Sequence, residues 1–208
     1  IAEKVGADIT EVAKGIGLDK RIGSGFLQAG AGWGGSCFPK DVRSILFTGS
    51  QYNCDMPLVQ AALEVNRRQR QRMIEKLQET LKVVRGSTIA VLGLAFKANT
   101  DDIREAPAIE VIGGVLDMGA RVKVFDPIAQ QRYQEAYPDQ NLVYCADERD
   151  AVKDSDAVVL LTDWERFRHL DWRSLGMTMR QKIVVDGRNI LDGSALREAG
   201  FLYRGVGR

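Results

Sequence analysis

The spacing of hydrophobic and polar positions changes character near residue 86. Up to there, apolar residues recur every three or four positions, as one face of a helix requires. Ile1, Val5, Ile9, Val12 and Ile16 keep that spacing from the first residue; Asp8 or Thr10 would cap a helix through Ala13, which Gly15 and Gly17 end. A second helix is expected over 41–48. Asp55 and Pro57 then open a long helix whose narrow stripe runs through Leu58, Ala62, Val65, Gln69, Met73, Leu77 and Leu81. Between the first two helices lies 30–35, with Gly30, Gly32, Gly34 and Gly35. So many glycines suit unusual dihedrals or close backbone approach, not a helix or strand interior.

Beyond Gly86 short β-rich runs alternate with helical ones. Strands are expected at 88–92, 121–125, 157–161, 182–185 and 201–203, and helices at 108–118 and 194–199. Such alternation implies right-handed crossovers and a parallel sheet. The expected fold class is therefore α/β: a helical central domain with a long connecting helix over 1–84, then a Rossmann-like doubly wound parallel sheet domain over 85–208. In such sheets ligands lie beyond the carboxyl ends of the strands, which here carry 93–97, 126–127, 162–164 and 186–188.

Composition narrows the function. A formal net charge of +1 leaves no global field for nucleic acid or an anionic membrane. No apolar run approaches the ~20 residues that span a bilayer. Cys37, Cys54 and Cys145 form no C-x-x-C pair, which argues against a disulfide framework or a zinc site and suits a reducing cytoplasm. His169 is the single histidine, read as structural, so no His-dependent triad or His-rich metal site is expected. The first residue is Ile1 and nothing near it resembles a signal peptide; the uncapped helical spacing suggests a chain cut from something longer.

Three stretches carry candidate chemistry. After the first strand, Gly93-Leu94-Ala95-Phe96-Lys97 lacks the G-x-G-x-x-G fingerprint of a dinucleotide cradle. Phe96 and Lys97 suit a nucleotide's base and phosphate, or else a core ring and a solvated amine. Arg104, ahead of a helix start at Pro107, suits an anion or a structural pairing with Asp101, Asp102 and Glu105. Arg67, Arg68, Arg70 and Arg72 read as a solvated face of the long helix. The third stretch holds Cys37, with Lys40 three residues on and Asp41 four. A cysteine at a helix start beside a lysine is in the electropositive setting that favours a reactive thiol. If 39 onward is helical, Asp41 stands one turn from Cys37, able to orient a water.

The run Phe26-Leu27-Gln28-Ala29-Gly30, followed by Gly34-Gly35-Ser36-Cys37-Phe38-Pro39-Lys40-Asp41, resembles the active-site segment of the UDP-glucose/GDP-mannose dehydrogenase family. So do 93–97 with 100–107, then Phe125-Asp126-Pro127, Thr162-Asp163-Trp164 and Asp186-Gly187-Arg188, in the family's order over nearly the whole chain. The resemblance implies NAD-dependent, four-electron oxidation of the C6 alcohol of a UDP-sugar, UDP-glucose to UDP-glucuronate, through a cysteine thiohemiacetal and thioester. It makes Cys37 the nucleophile and Asp41 the residue that helps activate water. Lys40 and Arg104 would touch NAD. Phe26, Leu27, Gln28, Ala29, Gly30, Gly34, Phe96, Lys97 and Arg188 would bind the sugar nucleotide, and Arg21 would reach a neighbouring subunit's substrate. A homodimer is implied.

Trp33 stands where Phe or Tyr is common in the family, and Ala98 where many bacterial members carry Pro. The family's amino-terminal NAD-binding domain and its catalytic Lys and Asn are absent from these residues, so the chain alone is expected to lack dehydrogenase activity. Other readings are a GDP-mannose or UDP-N-acetyl-hexosamine 6-dehydrogenase, or a non-catalytic nucleotide-binding or dimerisation module.

Overall fold

The computed structural model describes residues 1–208. Helices α1 (Ala2–Val5), α2 (Ile9–Gly17), α3 (Phe38–Gln51) and α4 (Pro57–Leu81) precede a sheet of six strands: β1 (Thr88–Leu92), β2 (Arg121–Phe125), β3 (Leu142–Tyr144), β4 (Ala157–Leu160), β5 (Ile183–Asp186) and β6 (Leu202–Gly205). Helices α5 (Pro107–Asp117), α6 (Gln130–Ala136), α7 (Glu148–Val152), α8 (Glu165–Arg168), α9 (Trp172–Gly176) and α10 (Gly193–Glu198) connect the strands. Every strand pair is parallel, in the order β3-β2-β1-β4-β5-β6. The order reverses between β1 and β4, the switch point at which doubly wound sheets bind ligands.

The central strands are buried on both faces, and their period-2 alternation divides the core. Ile89, Val91, Val122, Val124, Val159 and Val185 join one cluster with α4 and α5. Ala90, Leu92, Val158, Leu160 and Val184 face Phe167, Trp172 and Phe201 on the other side. Met73, Ile74, Leu77 and Leu81 of α4 belong to the first cluster, so the far half of the long helix is a covering layer of the sheet. Its near half is different: Leu58 and Val65 are exposed.

Five of the six strands fall where expected. The strand β3 is additional, being three residues at the sheet edge with only partial burial. Asp8 caps α2, its carboxylate accepting from the Thr10 amide at 2.8 Å. The spacing from Ile1 to Ile16 is broken at Gly6, a left-handed stop at φ 72. Asp55 does not cap α4; Met56 holds that position, with no side-chain hydrogen bond. The arginine face also needs correction. Arg67 and Arg68 pair with Glu64 in solvent, whereas Arg70 is 5% exposed. No helix is long and apolar enough to cross a membrane.

Candidate active site

Cys37 is the N-cap of α3, exposed, and the Asp41 amide donates to its carbonyl at 2.9 Å. The helix thus starts at Phe38, ahead of the expected 41–48, and Asp41 does stand one turn from the thiol. Lys40 pairs with Asp41, which with Cys37 nearby holds the ammonium above its usual range. Ser36 Oγ lies 3.5 Å from Cys37 Sγ. Phe38 packs edge-on against Trp33 at 4.8 Å between ring centres.

The loop leading to Cys37 lies against the carboxyl end of the sheet by backbone contact. The Ala31 amide donates to the Gly187 carbonyl at 2.7 Å, and the Gly35 amide to that of Arg104 at 2.8 Å. Gly35, at φ 92, lies under the Phe96 ring, which a Cβ would meet at 2.8 Å. A Cβ at Gly34 would enter the Glu105 carbonyl. These contacts are why positions 34 and 35 are glycine: a Cβ at either would push the loop off the Glu105 backbone or the Phe96 ring.

The loop after β1 is shaped from below. Both Leu94 and Ala95 amides donate to one oxygen of buried Asp126, at 2.7 and 3.1 Å, and Trp164 Nε1 donates to it at 3.1 Å. Thr162 Oγ1 donates to the Ala95 carbonyl at 2.6 Å. The Asp-Pro and Thr-Asp-Trp motifs therefore hold the turn that presents Phe96 and Lys97. Lys97 Nζ stands 5.4 Å from the Phe96 ring centre, exposed, with no carboxylate within salt-bridge distance. Two residues past β5, Arg188 donates to the Phe96 carbonyl at 2.6 Å and lies 3.6 Å from Asp163. Burial pulls its guanidinium below the usual arginine range, with Asp163 opposing.

Arg104 is bound by its neighbour. It makes two contacts to Asp102, at 2.9 and 2.7 Å, which hold the guanidinium above its usual range, with Cys37 adding to the effect. The acids around it divide: Asp101 pairs with Arg132 and Glu105 with Arg43. Leu27, Gln28 and Ala29 line a cleft of 280 Å³ with Arg188 and Asn189. Asn189 donates to the Ala29 carbonyl at 3.3 Å, pinning that segment to the sheet. Gly30 abuts Gly187 and Arg188. Arg21 and Phe26 stand apart: Arg21 is held by Asp19 in solvent, and Phe26 projects fully exposed from a backbone at φ 61.

Residues 1–68 match the model of the UDP-glucose/GDP-mannose dehydrogenase family, central domain, and residues 90–193 that of the same family's UDP binding domain. The chain belongs to this family. It is 41% identical over 208 residues to UDP-glucose 6-dehydrogenase TuaD of Bacillus subtilis, covering all of this chain and 45% of that protein. A UDP-glucose dehydrogenase structure from Pyrobaculum islandicum superposes at a TM-score of 0.87 with 38% identity, covering 98% of this chain and 44% of that one. A UDP-D-ManNAc dehydrogenase structure from Pyrococcus horikoshii gives 0.84 and 30%, covering 100% and 46%. The chain thus spans a little under half the length of these UDP-glucose/GDP-mannose dehydrogenase family relatives.

Sequence reasoning missed Asn66, Arg70, Asn189 and the part played by Asp126. Asn66 and Arg70 stand four apart on α4, so a shared face was readable, but they sat within a polar run whose burial nothing local announced.

Proposed function

We propose that this chain carries the thiol and the nucleotide subsite of an NAD-dependent UDP-glucose 6-dehydrogenase, producing UDP-glucuronate. The observation that carries this reading is the packing of the Cys37 loop, through Gly35, onto Phe96 of the Lys97 loop. An exposed thiol and a cation beside an aromatic face are thus carried on adjoining loops past the carboxyl end of β1.

The turn after β1 does not fit the pyrophosphate of NAD, because Asp126 already occupies the Leu94 and Ala95 amides that such a cradle offers. Lys40, in the first turn of α3 after Cys37, and Arg104, whose carbonyl the Gly35 amide bonds, are the cations that suit contact with the cofactor. NAD, when bound, supplies the hydride acceptor. Lys97 holds the UDP phosphates by charge, and Arg188 sits at their base beside Phe96. Leu27, Gln28, Ala29, Gly30 and Gly34 bound the sugar nucleotide, with the 280 Å³ cleft beside Arg188 as part of that space. Cys37 adds to the C6 aldehyde and holds it as a thiohemiacetal, and the thioester left after oxidation is hydrolysed by a water that Asp41 orients.

The same reading divides the chain at 84/85, with α4 as the bridge. It also makes the exposed Leu58 and Val65 of α4 part of a homodimer face, across which Arg21 would reach the second subunit's substrate. Calorimetry with UDP and GDP tests the nucleotide. UDP binding with no GDP binding is the expected result; preference for GDP moves the reading to a GDP-mannose dehydrogenase, and binding of neither sinks it.

A further inference from the structure

We propose that Asn66 and Arg70 of α4 are positioning residues for Cys37, clamping the thiol's loop to the loop that carries Arg104 and Glu105. The proposal rests on the reading of Cys37 as the reacting thiol.

Arg70 is buried on a helix whose neighbouring arginines are solvated. Its guanidinium joins three separate segments. One nitrogen donates both to the Trp33 carbonyl, at 2.9 Å, and to the Glu105 carbonyl, at 3.1 Å. The other pairs with Glu110 of α5. Its Nε is left buried without a partner. A buried donor without an acceptor is unfavourable, so the side chain is oriented for the two carbonyls rather than for its own full satisfaction.

Asn66, one turn earlier, takes both backbone groups of Trp33. The Trp33 amide donates to Oδ1 at 2.8 Å, and Nδ2 donates to the Trp33 carbonyl at 3.0 Å. This is the pairing a neighbouring strand would give, made by a side chain. It requires Gly32, at φ 106, where a Cβ would stand 2.6 Å from Asn66 Oδ1.

Trp33 is four residues before Cys37, and Glu105 is adjacent to Arg104. Arg43 on α3 grips the same Glu105 with two contacts of 3.0 Å. The loop before the thiol and the helix after it are therefore both tied to the 104–105 segment. A planar fork on a rigid helix holds two carbonyls and a carboxylate at once in fixed directions. Since Cys37 is already exposed, loosening the clamp adds no access; it lets the thiol's loop drift from the 104–105 segment, to which the Gly35 amide bonds, and takes the sulfur away from that cationic edge, so its reactivity falls.

The test is the alkylation rate of Cys37 by iodoacetamide at neutral pH in the full chain, read by peptide mass mapping. Circular dichroism follows the fold, and calorimetry follows UDP. Arg70→Met and Asn66→Ala are expected to slow labelling about threefold or more, as withdrawal of a thiol from its electropositive surroundings does. UDP affinity should stay within about twofold, because Lys97 and Arg188 are untouched. Arg70→Lys should restore the rate only in part, since one ammonium cannot reproduce the fork. Arg67→Met, on the solvated face, should leave labelling unchanged. An unchanged rate in both Arg70→Met and Asn66→Ala overturns the proposal, as does full restoration by lysine. If Arg70→Met does not fold, Asn66→Ala and Arg70→Lys decide alone. A parent chain that binds no UDP defeats the functional reading; a UDP-binding chain whose Cys37 ignores these variants defeats only the clamp.

Discussion

Arg188, two residues past β5, donates to the carbonyl of Phe96, after β1, at 2.6 Å. The bond crosses the sheet's switch point and ties two loops that lie 92 residues apart in the chain. Arg188 is thus committed partly to structure, while Lys97 beside it has no acid to hold it.

That difference separates two variants. Lys97→Ala removes only a solvated charge and is expected to weaken UDP binding on the order of 10-fold, the lower end of a charged hydrogen bond's worth. Arg188→Met is expected to weaken it further and to lower Tm as well, because the Phe96 carbonyl loses its donor. Calorimetry and thermal melts on both proteins check the pair. Equal affinity losses with no change in Tm for Arg188→Met would contradict the assignment.

The three thiols differ in setting. Cys37 and Cys54 are exposed, whereas Cys145 is buried and its thiol is pushed up to about 11, chiefly by that burial. Iodoacetamide at pH 7.5 is expected to spare Cys145, because the thiolate is the nucleophile. UDP-glucose should slow labelling of Cys37 and leave Cys54 untouched. Peptide mapping with and without the sugar nucleotide reads all three sites in one experiment.

Two glycines are expected to respond in opposite directions to alanine. A Cβ placed on Gly113 of α5 would have nothing within 4 Å, so Gly113→Ala should stabilise the chain by about 0.5–1 kcal/mol. Gly34→Ala would force its methyl into the Glu105 carbonyl, with an expected loss of about 1–3 kcal/mol. Urea unfolding measures both, and iodoacetamide labelling of Cys37 in Gly34→Ala should slow in parallel.

Asp156 supplies a pH prediction remote from the site. It accepts from Arg180 at 3.0 and 2.6 Å and from the Thr88 amide at 2.8 Å. The Arg180 bonds come first in holding its carboxyl below the usual aspartate range. A carboxyl lowered in the folded state contributes its full stability above the unfolded value, about 3.9, and loses it as pH falls through the folded value. Asp156→Asn should therefore reduce stability at pH 7, and the deficit should shrink below about pH 4. Urea midpoints at pH 7, 4 and 3 check the sign.

Much of the architecture was legible from local pattern. Short β-rich runs marked β1, β4 and β5 most plainly, because central strands are buried on both faces and carry near-continuous hydrophobic side chains. The edge strand β3 escaped because three partly exposed residues carry no such signal. Asp41 at one turn from Cys37 followed from helical spacing alone. So did the glycine-rich loop's need for close approach, though not what it approaches.

The sequence by itself determined the alternation of elements, the order of the loops at the sheet's carboxyl end and the residue types gathered on them. Only the tertiary structure decided which of several equivalent side chains are spent internally. Arg70 is buried while Arg67 is solvated; Arg188 is spent on the Phe96 carbonyl; Asp126 fills the amides after β1. The physical reason is one of range. Helical and strand periods are set within a few residues, whereas these buried charges and amides take partners that folding brings from 32 to 92 residues away.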